Sequence, residues 1–376
     1  MPKWLDKSEV NTGRQREFDY LKGFFMVLIY MIHAFQTTMS PEDGLFKVVY
    51  IFNSMSGAAL FIFVMGFGTA YSRQATPRGM VKSGARLVLY QYLNNLAYVA
   101  AFLLPWPLVA AALSPESAGT LRAVALVYLQ YINIFFISGI IYLVMALLKR
   151  LNVPVAAWAA IGVGVGLAAP FVYGRPVNVP VLGYVVQLLI GAAPHVSFTP
   201  LYFLSYALLG AASGRFFRRV RDKRAFYLQI LPVCLAVVAL WWALALRRYG
   251  LGLDGLRGPL GTAYTHPDLW HVAASLAHIL AMAAIIFLII DRTGVGEPKN
   301  PAARQLLYYS KHISKYYALH PLPYFIALGL HAYRPFTSGQ CWLLTLMCML
   351  VTGCAVRLYN HLYDNWKQRK EARSNG

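Results

Sequence analysis

Apolar runs of about 20 residues recur along almost the whole chain, each long enough to carry a helix across a hydrocarbon layer roughly 30 Å thick. The runs are rich in Ala, Leu, Gly and Val and show no strict two-residue alternation, which points to helices and away from an outer-membrane barrel. Of the 376 residues 58% are apolar and 13% charged, about half the charged fraction of a soluble globule. Inside a bilayer each span must satisfy its own backbone. The expected fold is therefore all-α, a polytopic integral membrane bundle of about ten transmembrane helices. The spans fall near 21–36, 48–71, 87–113, 123–148, 155–173, 201–214, 225–246, 270–290, 306–330 and 341–356. The sixth is short, and 181–193 before it is a further apolar stretch, readable as a surface or re-entrant helix.

Lys and Arg divide 25 to 7 between the two sides of these spans, counting the N-terminus with the larger group. Cytoplasmic loops hold such an excess, so both termini are expected in the cytoplasm. The passage MPKWLDKSEVNTGRQREFDY is polar and lacks a cleavage site behind an apolar core, so the first span is expected to stay in the mature protein. Three parts follow: a cytoplasmic N-terminal segment at 1–20, one membrane domain at 21–358, and a basic cytoplasmic tail at 359–376. The tail, WKQRKEARSNG at its end, suits anionic lipid. The formal charge of +20 is scattered over short loops rather than gathered in one domain, which argues against nucleic-acid binding. The expected setting is the cytoplasmic membrane of a bacterium. Nothing in the sequence sets an oligomeric state.

Cys234, Cys341, Cys348 and Cys354 lie in apolar runs at spacings that match no metal or redox motif, and are read as packing residues. Chemistry must then come from polar groups inside the spans, each of which costs at least ~2.5 kcal/mol at a helix centre if charged. No Asp or Glu is expected deep in a span, which removes paired carboxylates and weighs against a carboxylate proton relay. Histidines remain: His33, His271, His278, His320 and His331, with His195 at the start of a span. His271 and His278 share a helix face, yet no third ligand has a recognisable spacing, so no metal is expected.

The first span reads REFDYLKGFFMVLIYMIH, with Lys22 eleven positions before His33. At 100° per residue the two return to within about 20° of one helix face, ~16.5 Å apart along the axis. Such a pair can hold the phosphates of coenzyme A at the interface while a thioester on the pantetheine arm reaches the imidazole. The alternative is a lysine snorkelling to the headgroups and a histidine bonded to a neighbouring helix.

Asp19, Lys22, Gly23 and His33 resemble the opening signature of the transmembrane acyltransferases, which comprise the acyltransferase-3 proteins and the relatives of heparan-α-glucosaminide N-acetyltransferase. Lys22 replaces the usual Arg, keeping the charge but losing the forked grip on phosphate. Three further stretches are similar in order and spacing: AALFIFVMGFGTAYSR at 58–73, SFTPLYFLSYALLGAASGR at 197–215 and SKHISKYYALHPLPY at 310–324. The last carries Ser314, Tyr317, His320 and Pro321 in the places of the family's late Ser, Tyr and His-Pro element. LDGLRG at 253–258 repeats the opening letters in a loop with no apolar helix after it, and is coincidence.

The resemblance implies transfer of an acyl group, acetyl above all, from cytoplasmic acyl-CoA to an extracytoplasmic glycan, lipid or small-molecule acceptor, with oxygen favoured over nitrogen. It implies His33 as general base, a role suited to an imidazole, or alternatively as the site of an acyl-histidine intermediate. Asp19 belongs to the same signature, and Tyr30, one turn before His33, can orient the ring. Arg16 and Arg215 join Lys22 as cations for the donor, although Gly210, Gly214 and Arg215 equally fit a close-packing helix face. Ser314, Tyr317 and His320, in steps of three, form one stripe of the expected cavity wall, broken at Pro321. The rival reading is a transporter or flippase for an anionic envelope metabolite, whose usual marks, an intramembrane carboxylate or discontinuous helices in matching halves, are not clear in the sequence.

Overall fold

The computed structural model describes residues 2–105, 115–173, 175, 179, 182–191, 196, 198–250, 252–256, 265–294, 300–331 and 333–374. His195, Arg257 and Lys299 lie outside these, as do parts of the expected third span and of the 181–193 stretch. The described chain is helical with no strand among its residues, in agreement with an all-α fold. Its helices are α1 (Arg16–Thr38), α2 (Gly44–Ser54), α3 (Gly57–Gly68), α4 (Pro77–Leu103), α5 (Pro115–Gln130), α6 (Ile134–Arg150), α7 (Val155–Val172) and α8 (Leu182–Ile190). They continue with α9 (Pro200–Phe217), α10 (Lys223–Tyr249), α11 (Leu269–Thr293), α12 (Pro301–Lys311), α13 (Ile313–Leu319), α14 (Pro321–Leu330) and α15 (Ser338–Ser374).

Five of these, α1, α7, α10, α11 and α15, are long and apolar enough to cross a membrane. The other expected spans take a different form. The second is split at Met55 and Ser56 into α2 and α3, the fourth at residues 131–133 into α5 and α6, and the ninth into α12, α13 and α14. The third, α4, is one long helix but carries Gln91, Asn94 and Asn95 on its buried side. A hydropathy window averages over breaks of two or three residues, which is why these spans read as continuous.

The break between α5 and α6 lies level with the middle of α4, and its freed backbone groups are met by amides. Gln91 donates to the Tyr131 carbonyl at 3.0 Å and accepts from the amides of Asn133 and Phe136 at 3.3 and 3.2 Å. Asn95 donates to the carbonyls of Leu129 and Tyr131 at 3.0 and 2.9 Å. Irregular backbone at membrane depth survives only with such partners.

α1 is the central helix, 67% buried along its apolar window against 17% for α10, and packs on α2, α3 and α11–α15. α10 turns Leu228, Val233, Leu235, Leu240 and Leu244 outward, as a lipid-facing helix does. α3 and α9 approach backbone to backbone, since a Cβ at Gly210 or Gly214 would meet the main chain of Phe63 or Phe67. The packing alternative for this small-residue face is thus the one observed. Gly210→Leu is expected to lower the unfolding midpoint of the solubilised protein, on the scale of about 1–3 kcal/mol for overpacking. Gly164→Ala, which meets nothing within 4 Å, is the control. Equal midpoints for the two variants would remove this contact from the account.

Loops gather at two faces. At one, residues 2–15 dock on the α9–α10 connection: the Asp6 amide bonds the Arg219 carbonyl and those of Val10 and Asn11 the Arg218 carbonyl, all at 2.8 Å. The Ser8 amide and hydroxyl donate to Asp6 at 3.0 and 2.9 Å and hold its carboxyl below the usual carboxylate range. Arg218 reaches the Ala70 carbonyl at 2.9 Å, Lys149 bonds that of Ala75, Arg224 lies 3.9 Å from Asp291, and Arg357 meets Gln305 at 2.8 Å. At the other, Lys47 pairs with Asp254 at 2.7 Å, the Phe336 amide bonds the Thr38 carbonyl at 2.6 Å and Tyr333 bonds the Phe102 carbonyl at 2.8 Å. These contacts join segments near loops that charge counting assigns to the same side.

α15 departs from expectation at its end. Its 37 residues form one helix of ~55 Å that runs on through the basic segment, with no break near 358.

Candidate active site

Asp19, one turn into α1, is buried and takes three partners. Its carboxylate pairs with Arg14, with the Lys22 ammonium at 3.0 Å and with the Ser310 hydroxyl at 3.2 Å. The last bond ties α1 to α12. Between them a Cβ on Gly23 would strike the Leu306 backbone, so only glycine admits α12 this close. Asp19 thus holds Lys22 in place rather than reaching toward His33. Glu17, two residues earlier and also buried, meets Lys223 at 2.6 Å and the Tyr227 hydroxyl at 2.9 Å.

Lys22 opens on a cavity of about 330 Å³. Ser83 and Arg86 of α4, Ser138 and Tyr142 of α6, and Ser314 and Tyr317 of α13 supply its polar lining. Phe61, Val64, Met65 and Phe135 supply much of the rest. A second cavity of about 470 Å³ shares Arg86, Leu87, Phe135 and Ser314 with it, and adds Asn94, Lys315 and Tyr359. Two cations, Lys22 and Arg86, therefore stand at one apolar-walled space, an arrangement fitted to a ligand with a polyanionic head and an uncharged arm.

Tyr317 is the wall between this space and the histidines. Its ring lies 5.3 Å from Phe135 and 5.4 Å from His320. His320 is fully buried at the junction of α13 and α14. Pro321 has no N–H to give to the carbonyl four residues back, which is that of Tyr317. The His320 Nδ1 takes it up at 2.9 Å, with the Tyr316 carbonyl at 3.2 Å. Carbonyls only accept, so Nδ1 carries the proton and Nε2 keeps its lone pair. Nε2 is buried and has no hydrogen-bond partner among the described residues.

His33, half-buried, meets His320 edge to face with ring centroids 4.9 Å apart. Tyr30 packs on His320 at 5.6 Å, and its backbone carbonyl accepts the Tyr324 hydroxyl at 2.7 Å. That bond fixes α14 against α1 one turn from His33. The helix break, the two imidazoles and Tyr30 thus form one buried cluster.

The proposed residues separate into two groups. Lys22, Ser314 and Tyr317 line the cavity, and His33, Tyr30 and His320 form the cluster behind it. Arg16 is exposed and lines no described cavity. Arg215 faces Glu9 at 2.9 Å beside a different cavity, so it does not join Lys22. His271 is buried against Trp241 at 5.4 Å, and among the described residues no three His, Cys, Asp or Glu side chains gather as metal ligands would. Cys234, Cys341 and Cys348 are buried, Cys354 is exposed, and all four are free thiols. Arg86 and Ser138 escape sequence reasoning because they come from other helices, while Lys315 and Tyr324 lie within the 310–324 stretch but outside its stripe in steps of three. Gln91 and Asn95 carry a local signal, two amides four apart inside an apolar run. Comparison with protein-family models, with curated proteins and with solved structures finds no match for this chain.

Proposed function

We propose that the chain is a membrane-bound acyltransferase that takes an acyl group, acetyl above all, from cytoplasmic acyl-CoA and passes it to an acceptor hydroxyl, or less readily an amine, on the far side. In this reading the face bearing residues 2–15 is cytoplasmic, about ten segments cross or enter the bilayer, and the host membrane is the bacterial cytoplasmic membrane. The acceptor is a glycan, lipid or small molecule.

The observation that carries the reading is the pair of imidazoles behind Tyr317, with His320 Nδ1 on a backbone carbonyl and its buried Nε2 without a hydrogen-bond partner among the described residues. Lys22 and Arg86 take the donor's phosphates, and the pantetheine arm runs past Tyr317 toward His33. His33, the more exposed of the two, takes the acceptor's proton at one ring nitrogen as the oxygen attacks the thioester carbonyl. The His320 ring, edge to face with His33 at 4.9 Å between centroids, orients the base by packing against it. The tetrahedral intermediate then expels the thiolate, and His33 returns the proton to sulfur. No metal is called on. Purified protein should release free coenzyme A from labelled acetyl-CoA only when acceptor is supplied, and mass spectrometry of envelope glycans and lipids from a deletion strain should show one acylated species missing.

Transport or flipping of an anionic envelope metabolite is the second reading, and the interrupted helices at 55–56, 131–133 and 319–320 favour it. Proteoliposomes that accumulate label without cleaving the thioester would decide for it. Orientation has its own test: cysteines placed within 215–224 should react with an impermeant reagent only after permeabilisation, and those within 252–256 without it. The reverse pattern overturns the assigned topology.

A further inference from the structure

We infer that the face bearing residues 2–15 holds a second anion site, one that takes a phosphate group, and that the Glu9 carboxylate occupies it as an intramolecular competitor. This does not rest on acyl transfer. The Glu9 carboxylate bridges two guanidinium groups at the C-terminal end of α9, that of Arg215 in its last turn, 2.9 Å from Oε1, and that of Arg218, its C-cap, 2.6 Å from Oε2. Beside them is a cavity of about 260 Å³ lined by Arg215, Lys149, Asn152, Thr69 and Trp158. It shares no lining residue with the cavity at Lys22.

Charge does not balance within this group. Two cations, Arg215 and Arg218, share one carboxylate, and a third, Lys149, lines the cavity beside them. The carbonyls of Ala70 and Ala75, bonded to Arg218 and Lys149, position two of them without neutralising either. A phosphate brings up to about two charges and three acceptor oxygens where a carboxylate brings one and two, so it competes favourably for the same fork. Glu9 is also the readily displaced partner. It is exposed, and residues 2–15 are held by the amides of Asp6, Val10 and Asn11 and by Trp4, which packs at 5.0 Å on Phe226 and bonds Gln229 at 2.6 Å. Binding of phosphate should therefore loosen this segment.

Full-length protein in phosphatidylcholine nanodiscs is titrated with inorganic pyrophosphate by calorimetry, with hydrogen exchange followed over residues 2–15. Binding is expected, with faster exchange at the amides of Asp6, Val10 and Asn11. Glu9→Gln should tighten affinity by up to about fivefold, the scale of one exposed ion pair released. The double variant Arg215→Gln/Arg218→Gln should abolish binding, and Arg215→Lys, which keeps the charge, should retain most of it and report on folding. Nanodiscs containing phosphatidylglycerol separate the sources: release of the segment there without pyrophosphate assigns the phosphate to a lipid headgroup, and release only on titration assigns it to a soluble ligand. If neither releases the segment, or if Glu9→Gln leaves the affinity unchanged, the competitor idea is overturned and Glu9 is a clasp between residues 2–15 and α9.

Discussion

Replacing His33 by alanine is expected to cut turnover by about 10²–10⁴-fold, the usual contribution of a general base, while donor affinity barely moves. The split follows from geometry. His33 stands behind Tyr317, beyond the cavity that Lys22 and Arg86 line, so on the proposed reading other groups would hold the donor's phosphates. His320→Ala should fall in the same range or somewhat less, because in this reading its part is to orient His33 by ring packing. Residues that act as a unit are not additive, so the double variant should cost about as much as His33→Ala alone. A merely structural His320 would instead lower protein yield and donor binding and add its loss to that of His33. Calorimetry with a non-hydrolysable acyl-CoA, steady-state rates, and recovery of His33→Ala by added imidazole separate the cases. Near wild-type turnover in His33→Ala sinks the assignment of the base.

The parts of this site that lie along one helix could be read before any fold was known. Asp19, Lys22 and His33 share a face of α1 because eleven residues is close to three whole turns, and Ser314, Tyr317 and His320 descend one stripe that Pro321 interrupts. What the interruption does was not readable. That the Tyr317 carbonyl meets His320 Nδ1 and sets its tautomer depends on the ring's rotamer in a packed bundle.

The cationic pair was misjoined for a related reason. Arg16 and Arg215 could be grouped with Lys22 by sign and side alone, and both prove to lie elsewhere, Arg215 against Glu9. Arg86 takes its place with Lys22 because α4 and α13 line one cavity, a proximity with no local trace in either segment. Hydropathy likewise located the apolar segments but could not see their breaks. Asn133 caps α6 at 3.0 Å from the Phe135 amide, and the amides of Gln91 and Asn95 compensate the gap from 40 residues away.

Lys22→Ala and Arg86→Ala should each raise the apparent Michaelis constant for acyl-CoA by roughly 10- to 150-fold, the equivalent of one charge-assisted phosphate contact of about 1.5–3 kcal/mol. Turnover at saturating donor should change little, since neither cation is near the imidazoles. The two differ in what they leave behind. Removing the Lys22 ammonium strips a partner from the buried Asp19 carboxylate, which keeps Arg14 and the Ser310 hydroxyl, so some loss of stability accompanies the loss of affinity. Arg86 is exposed toward the cavity and carries no such debt. Lys22→Arg keeps the charge and can add a forked grip, so it should hold or improve donor affinity, provided the longer side chain still reaches Asp19. Donor affinity by calorimetry, set beside unfolding midpoints for all three variants, resolves the two effects. Unchanged donor affinity in both alanine variants would mean that this cavity does not hold the donor's phosphates. The imidazole pair would then need another approach from the face bearing residues 2–15.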